Sequence, residues 1–161
     1  MRAAVPENPR WQHIVTSPLK RCHEFAQELA ADLQIPCSIE DNLKEIGFGS
    51  WEGKTPEEIT AEDSEALNHF YRDPVNNRPQ GAEPLDTFSQ RVWQSYLDVV
   101  KNHQDKHILI VAHAGVARAI TANILKMSLD DVYSRLKIEY GAIVSSAIEQ
   151  DQPPKLIIHG P

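Results

Sequence analysis

The sequence predicts an α/β sandwich built on a mainly parallel sheet. Short apolar runs alternate with amphipathic stretches of helical period, as βαβ units require. The run His107 to Ala112 is continuously apolar, the pattern of a strand covered on both faces. Pro and Gly fall between these segments rather than inside them, so they mark element boundaries.

Taken in order, Gln12 to Thr16 reads as a strand, followed by Ser17-Pro18 as a helix cap with Pro at the first helical position. Leu19, Cys22, Ala26, Leu29 and Leu33 then form one apolar helical stripe that Pro36 ends. Cys37 to Ile39 suits another short strand. Residues 41–54 form a Gly-rich loop. Thr55-Pro56-Glu57-Glu58 is a capping box, so a helix is expected from there to Asp73-Pro74. After a polar loop over 74–83, Leu85, Phe88, Val92, Tyr96 and Val99 mark a longer amphipathic helix. The His107 strand leads into a helix over Gly115 to Lys126, Ser128 starts another, and Ala142 to Ile148 and Lys155 to Ile158 read as closing strands.

Length and charge narrow the function classes. A chain of 161 residues suits one domain. A formal charge of −7, from 16 basic and 23 acidic residues, argues against a nucleic-acid binder. The longest apolar stretch, Ile108 to Ala112, is far below the roughly 20 residues of a membrane span. Cys22 and Cys37 show no metal-ligand spacing, and neither a metal nor a cofactor is expected. A reduced, cytoplasmic setting fits.

The chemistry-bearing residues gather at two strand-to-helix junctions, Val15 to Arg21 and Ile110 to Gly115. In a parallel sheet both lie on the edge formed by the strands' carboxyl ends, where open α/β folds bind ligands. Helix N-termini there present free N–H groups that suit phosphate. Arg21 adds a fork for phosphate oxygens and His113 a donor or proton-transfer group. Each alone has a plainer reading, as a surface charge or a helix-capping residue. The loop Leu43 to Gly53 is a third feature. Its Glu45 and Glu52 are candidate proton donors; in the alternative, Phe48 and Trp51 anchor a structural turn and both acids face water.

Together these segments resemble the histidine phosphatase superfamily, the phosphoglycerate-mutase-like group. The resemblance rests on Thr16-Ser17-Pro18-Leu19-Lys20-Arg21-Cys22, on Leu43-Lys44-Glu45 through Trp51-Glu52-Gly53, on Gly81-Ala82-Glu83-Pro84-Leu85 with Arg91-Val92, and on Val111-Ala112-His113-Ala114-Gly115. The branch most similar is that of the bacterial α-ribazole phosphatases and broad-specificity phosphatases. The resemblance implies a three-layer α/β/α sandwich over residues 1–161. It also implies hydrolysis of small phosphate monoesters through a phosphohistidine. Carried over by motif, Arg21, His113 and Ser17 hold the phosphate, and His113 and Glu45 are catalytic, Glu45 as the acid. Glu52 matches a less direct position and is read as structural; Glu83 falls near the site. No nucleic-acid or membrane partner is implied, and a homodimer is left open.

One part of the pattern is missing. The family's nucleophilic His belongs to an Arg-His-Gly motif on a first strand, and the chain contains no such tripeptide. Met1 to Val5 reads as the tail of the helix following that strand, so the domain is expected to be N-terminally truncated. The resemblance places the missing strand beside the one ending at His113, which leaves Ile108, Ile110 and Ala112 along an unpaired edge. The alternative is a catalytically inactive relative that binds phosphorylated ligands or another protein.

Overall fold

The computed structural model describes residues 4–147 and 155–159. Strand β1 (His13–Thr16) is central, with β2 (Cys37–Ile39) parallel on one side and β3 (Ile108–Val111) parallel on the other. Its register aligns Thr16 with Ile39 and with Val111, so all three strands end at one edge. Alternate residues of β1 and β3 serve opposite faces, as strand geometry requires. Ile14, Leu109 and Val111 pack with Cys22, Ala26, Leu29 and Ala30 of α1 (Lys20–Leu33). Val15, Ile108 and Ile110 pack with Phe88 and Val92 of α4 (Leu85–Asn102) and with Val116 and Ala119 of α5 (Ala114–Leu125). The result is the three-layer α/β/α arrangement.

Two helices, α2 (Pro56–Glu62) and α3 (Ala66–Arg72), replace the single helix expected from the capping box to Asp73. The box itself forms: Glu58 N–H donates to Thr55 Oγ1, and Thr55 N–H donates to the Glu58 carboxylate. Asp63 breaks the run, because its backbone is extended and its side chain accepts from Glu65 N–H. Short acidic side chains compete in this way for backbone donors. Helix α6 (Leu129–Arg135) is capped by Ser128, which accepts from Asp131 N–H.

The closing strands β4 (Ile143–Ala147) and β5 (Lys155–His159) pair antiparallel with each other in a separate two-stranded sheet. Among the described residues no strand pairs with the outer edge of β3. The His107 run is covered on both faces as expected, by α1 on one and by α4 and α5 on the other; its edge is open, and Ile108, Leu109 and Ile110 are only half-buried. Tyr96 ties β4 to α4 by a 2.8 Å hydrogen bond to Ser146. Residues 1–3 of the expected helix tail, and Ile148, lie outside the described residues; Val5 packs beside the α1 core. No helix among the described residues is long and apolar enough to cross a membrane.

Candidate active site

The shared carboxyl edge of β1 and β3 carries Ser17 and His113, both buried. Ser17 N–H donates to the Val111 carbonyl at 2.9 Å, which continues the β1–β3 ladder to the site. The Ser17 hydroxyl and His113 Nε2 share a 2.7 Å hydrogen bond. Ser17 was expected to cap α1, but that helix begins at Lys20 after Leu19. The hydroxyl faces across the sheet edge because the imidazole of His113 is there to meet it; Leu19 N–H reaches the same oxygen at 3.3 Å. Cys22, one turn into α1, donates its thiol to the Ala112 carbonyl at 3.3 Å and lies 3.7 Å from both imidazole nitrogens. Burial, and secondarily the positive charge of Arg21, bring the His113 pKa down from 6.5 to about 4. The ring is therefore neutral at pH 7.

Glu45 arrives from the loop that precedes the Gly-rich turn and lies across the first turn of α5. Its Oε2 accepts from Gly115 N–H at 3.2 Å and its Oε1 from Ile46 N–H at 3.1 Å. Gly115 makes this possible, since a Cβ there would collide with Glu45 Oε1. Burial raises the Glu45 pKa above the ordinary carboxylate value, against the opposing pull of those two N–H groups and of Arg21 and Arg118. Arg21 is exposed, one residue before Cys22, and its charge acts on His113, on Cys22 and on Glu45. The structure thus brings Arg21, Ser17, His113 and Glu45 to one edge, where α1 and α5 also start.

The loop is held from outside the site. Arg91 of α4 grips both Glu83 carboxylate oxygens, at 2.7 and 2.8 Å. Its guanidinium also donates to the carbonyls of Asn42, Lys44 and Glu45. Five donors on one planar head suit this task, and Lys has no equivalent. Glu83, whose own N–H donates to the Gly47 carbonyl, is an anchor of the loop. Gly49 sits at φ +52°, where a Cβ would strike the backbone of Gln80 to Ala82. The turn reading of this loop holds in part. Phe48 and Trp51 set their rings edge-on against Phe70, and exposed Glu52 accepts from Phe48 N–H at 2.6 Å. Glu45, however, turns inward.

In the sequence Arg91 and Glu83 stand out only as parts of a motif, and Arg118 and Tyr133 fall in no motif that marks a place at the site. Arg118 Nε donates to the Leu136 carbonyl at 3.0 Å, and its guanidinium lies 5.5 Å from the centre of the Tyr133 ring. The one available signal was spacing: Arg118 follows Gly115 by three residues, on the same face of α5.

The site thus joins two helix N-termini, Arg21, His113 and the inward carboxyl of Glu45 on the carboxyl edge of a parallel α/β sheet. Residues 3–157 match the histidine phosphatase superfamily (branch 1), and the chain belongs to that family. It is similar to the adenosylcobalamin/alpha-ribazole phosphatase of Escherichia coli K12, at 27% identity over 139 residues, covering 86% of this chain and 67% of that protein. Phosphoserine phosphatase 1 of Hydrogenobacter thermophilus is 30% identical over 121 residues, covering 75% of this chain and 57% of that protein. Among solved structures, Bacillus stearothermophilus YhfR superposes with a TM-score of 0.81 at 27% identity, over 95% of this chain and 73% of that one. The chain thus spans between about half and two thirds of the length of these two curated relatives.

Proposed function

We propose that the complete protein is a phosphatase of small phosphate monoesters acting through a phosphohistidine. Arg21, His113 and Ser17 hold the phosphate, and Glu45 protonates the departing alcohol. The observation that carries this reading is the Glu45 carboxyl, buried, held over Gly115 and bonded to the helix that follows His113. Burial favours the protonated form that a general acid needs. A phosphate dianion entering beside Arg21 and the helix N-termini favours protonation of His113, and so gains a second positive charge.

The nucleophile in this reading is none of the seven His of the chain. We place it in an Arg-His-Gly segment that is not among these residues, on a strand that pairs with the edge of β3 left open among the described residues. Its imidazole forms the bond to phosphorus as the ester P–O bond breaks, and Glu45 gives its proton to the leaving oxygen. Water then attacks the phosphohistidine, returning a proton to Glu45 and freeing phosphate and the imidazole. The names of the relatives, alpha-ribazole and phosphoserine phosphatases, support small phosphorylated molecules as the substrate class. The free Cys22 and Cys37 suit a reduced, cytoplasmic compartment.

The test is a longer product that includes the Arg-His-Gly segment, assayed for phosphate release. With an alkyl phosphate, Glu45→Gln and His113→Ala each lower kcat/KM about 100-fold. With p-nitrophenyl phosphate the Glu45→Gln loss is much smaller, because nitrophenolate leaves without a proton. Activity untouched by either substitution overturns the assignment. A second reading, an inactive binder of phosphorylated ligands or of protein, is favoured by one fact: the chain keeps Arg21 and His113 while containing no Arg-His-Gly. Calorimetry with phosphate and vanadate on the 161-residue chain tests it, and no heat at millimolar ligand counts against it.

A further inference from the structure

The hydroxyl of Tyr133 is buried and has no hydrogen-bond partner. Such a group is rare in a folded protein and calls for an explanation. Arg118 lies over the ring, held in turn by the Leu136 carbonyl. The hydroxyl looks onto the bare Cα of Gly115: the position a Cβ would take there is 3.3 Å from Tyr133 Oη and is also blocked by Glu45 Oε1. The phenol and the carboxyl therefore both border the space left by one missing methyl.

We propose that Tyr133 is a positioning residue for Glu45, its hydroxyl donating to the carboxylate once Glu45 has released its proton. An ionised carboxylate accepts about four hydrogen bonds. Glu45 has two, from Gly115 and Ile46, and one of these comes from the next residue in the chain. A small turn of the Glu45 side chain adds the third. Before proton transfer the Glu45 O–H points to the ester oxygen and has no use for the phenol. As the ester P–O bond breaks, the proton passes to the leaving oxygen. The negative charge left on Glu45 then meets the Tyr133 O–H and the Gly115 N–H. The phenol keeps its own proton throughout, because burial and the nearby Glu45 and Glu83 charges hold its pKa above the ordinary value against Arg118. The other groups bearing on Glu45 are Arg21 and Arg118, which favour its charged form; the Cys22 thiol also lies within reach of its charge.

The catalytic meaning rests on the reading of Glu45 as the acid, but the contact is testable on this chain without turnover. With glutamate labelled at Cδ, the Glu45 carbon is followed by NMR against pH and assigned by its loss in Glu45→Gln. In Tyr133→Phe its midpoint rises by about half a pH unit or more, since a donor to the charged form is gone. Tyr96→Phe, which removes a buried hydroxyl bonded to Ser146 instead, leaves the midpoint in place. In the unsubstituted protein the Tyr133 Cζ resonance shifts with the Glu45 midpoint, and Glu45→Gln abolishes that response. A Glu45 midpoint unmoved in folded Tyr133→Phe overturns the proposal. So does a Tyr133 Cζ resonance blind to Glu45, which decides the matter even if the variant fails to fold. If these shifts appear and the longer product proves inactive on phosphate esters, the contact stands and the phosphatase reading falls.

Discussion

Strands β1 and β3 lie side by side in parallel register, yet they are buried to different degrees. The body of β1, Ile14 and Val15, is 0% and 2% exposed. The body of β3, Ile108 to Ile110, is the more apolar sequence but is half-buried. The difference is pairing: β1 has a neighbour on each edge, and β3 has one on a single edge among the described residues. At the carboxyl ends the contrast narrows. Val111 and His113, at 5% and 9% exposed, are buried nearly as deeply as Thr16 and Ser17, both 0%, because α1, α5 and the Glu45 loop close over both strands there. Hydrophobicity sets what a strand can bury; topology sets what it does bury.

Truncation of the two strands separates these cases most strongly. Ile14→Ala leaves a void in a fully enclosed position and is expected to cost about 3 to 5 kcal/mol in urea unfolding. Ile108→Ala, on the half-covered strand, is expected to cost about 1 kcal/mol. Equal losses would show that β3 is enclosed in solution, and would break the comparison at its root.

The site end is tested by acid. His113 is 9% exposed with a pKa of about 4 when folded, against 6.5 ordinarily. The unfolded chain therefore binds more protons than the folded one between those values. Stability from this group is complete above about pH 6.5 and is lost as the pH falls toward 4, by on the order of 3 kcal/mol. His113→Gln removes that part of the slope in pH-dependent unfolding. A slope unchanged by the substitution would mean that the imidazole is not held neutral between Ser17 and Cys22. Saturating phosphate works in the opposite sense, raising the His113 midpoint and drawing protons from buffer on binding.

Much of this arrangement was legible before any coordinates, because it is written locally. The Thr55 capping box, the α1 stripe and the strand-to-helix junctions at Ser17 and His113 each need only a few neighbouring residues. The parallel order of the strands then puts Arg21 and His113 on one edge. What escaped the sequence is long-range. Ser17 reads as a helix cap until His113, 96 residues away, is known to be its partner. Arg91 is only part of a motif until the carbonyls of residues 42, 44 and 45 are brought beneath it. Tyr133 carries no signal in the sequence; it comes beside Glu45 only where Gly115 lacks a Cβ. The break at Asp63 is the exception: a local competition for backbone donors that a helical pattern conceals.

Arg91 gives a smaller effect than the imidazole, and the one that refines the contrast. It pins the Glu45 loop on the sheet face that Val15, Ile108 and Ile110 share with α4 and α5. The site end of both strands is thus covered by a loop held through hydrogen bonds rather than by strand pairing. Arg91→Lys keeps the positive charge but cannot span two carboxylate oxygens and the loop carbonyls together. The expected loss is about 1 to 2 kcal/mol. The loss carries a pH signature through Glu83, whose pKa is lowered chiefly by the Arg91 hydrogen bond. That contribution is present above the ordinary carboxylate pKa and fades as the pH falls through the lowered one. The variant is therefore weaker than the parent near pH 7, and the two converge in acid. Glu45 loses its register at the same time, so the variant should also bind phosphate less tightly in calorimetry. A variant with unchanged stability, pH response and phosphate affinity would show that the loop keeps its place over the strand ends without Arg91, by the Phe48 and Trp51 contacts to Phe70 and the Gly47–Glu83 backbone bond alone.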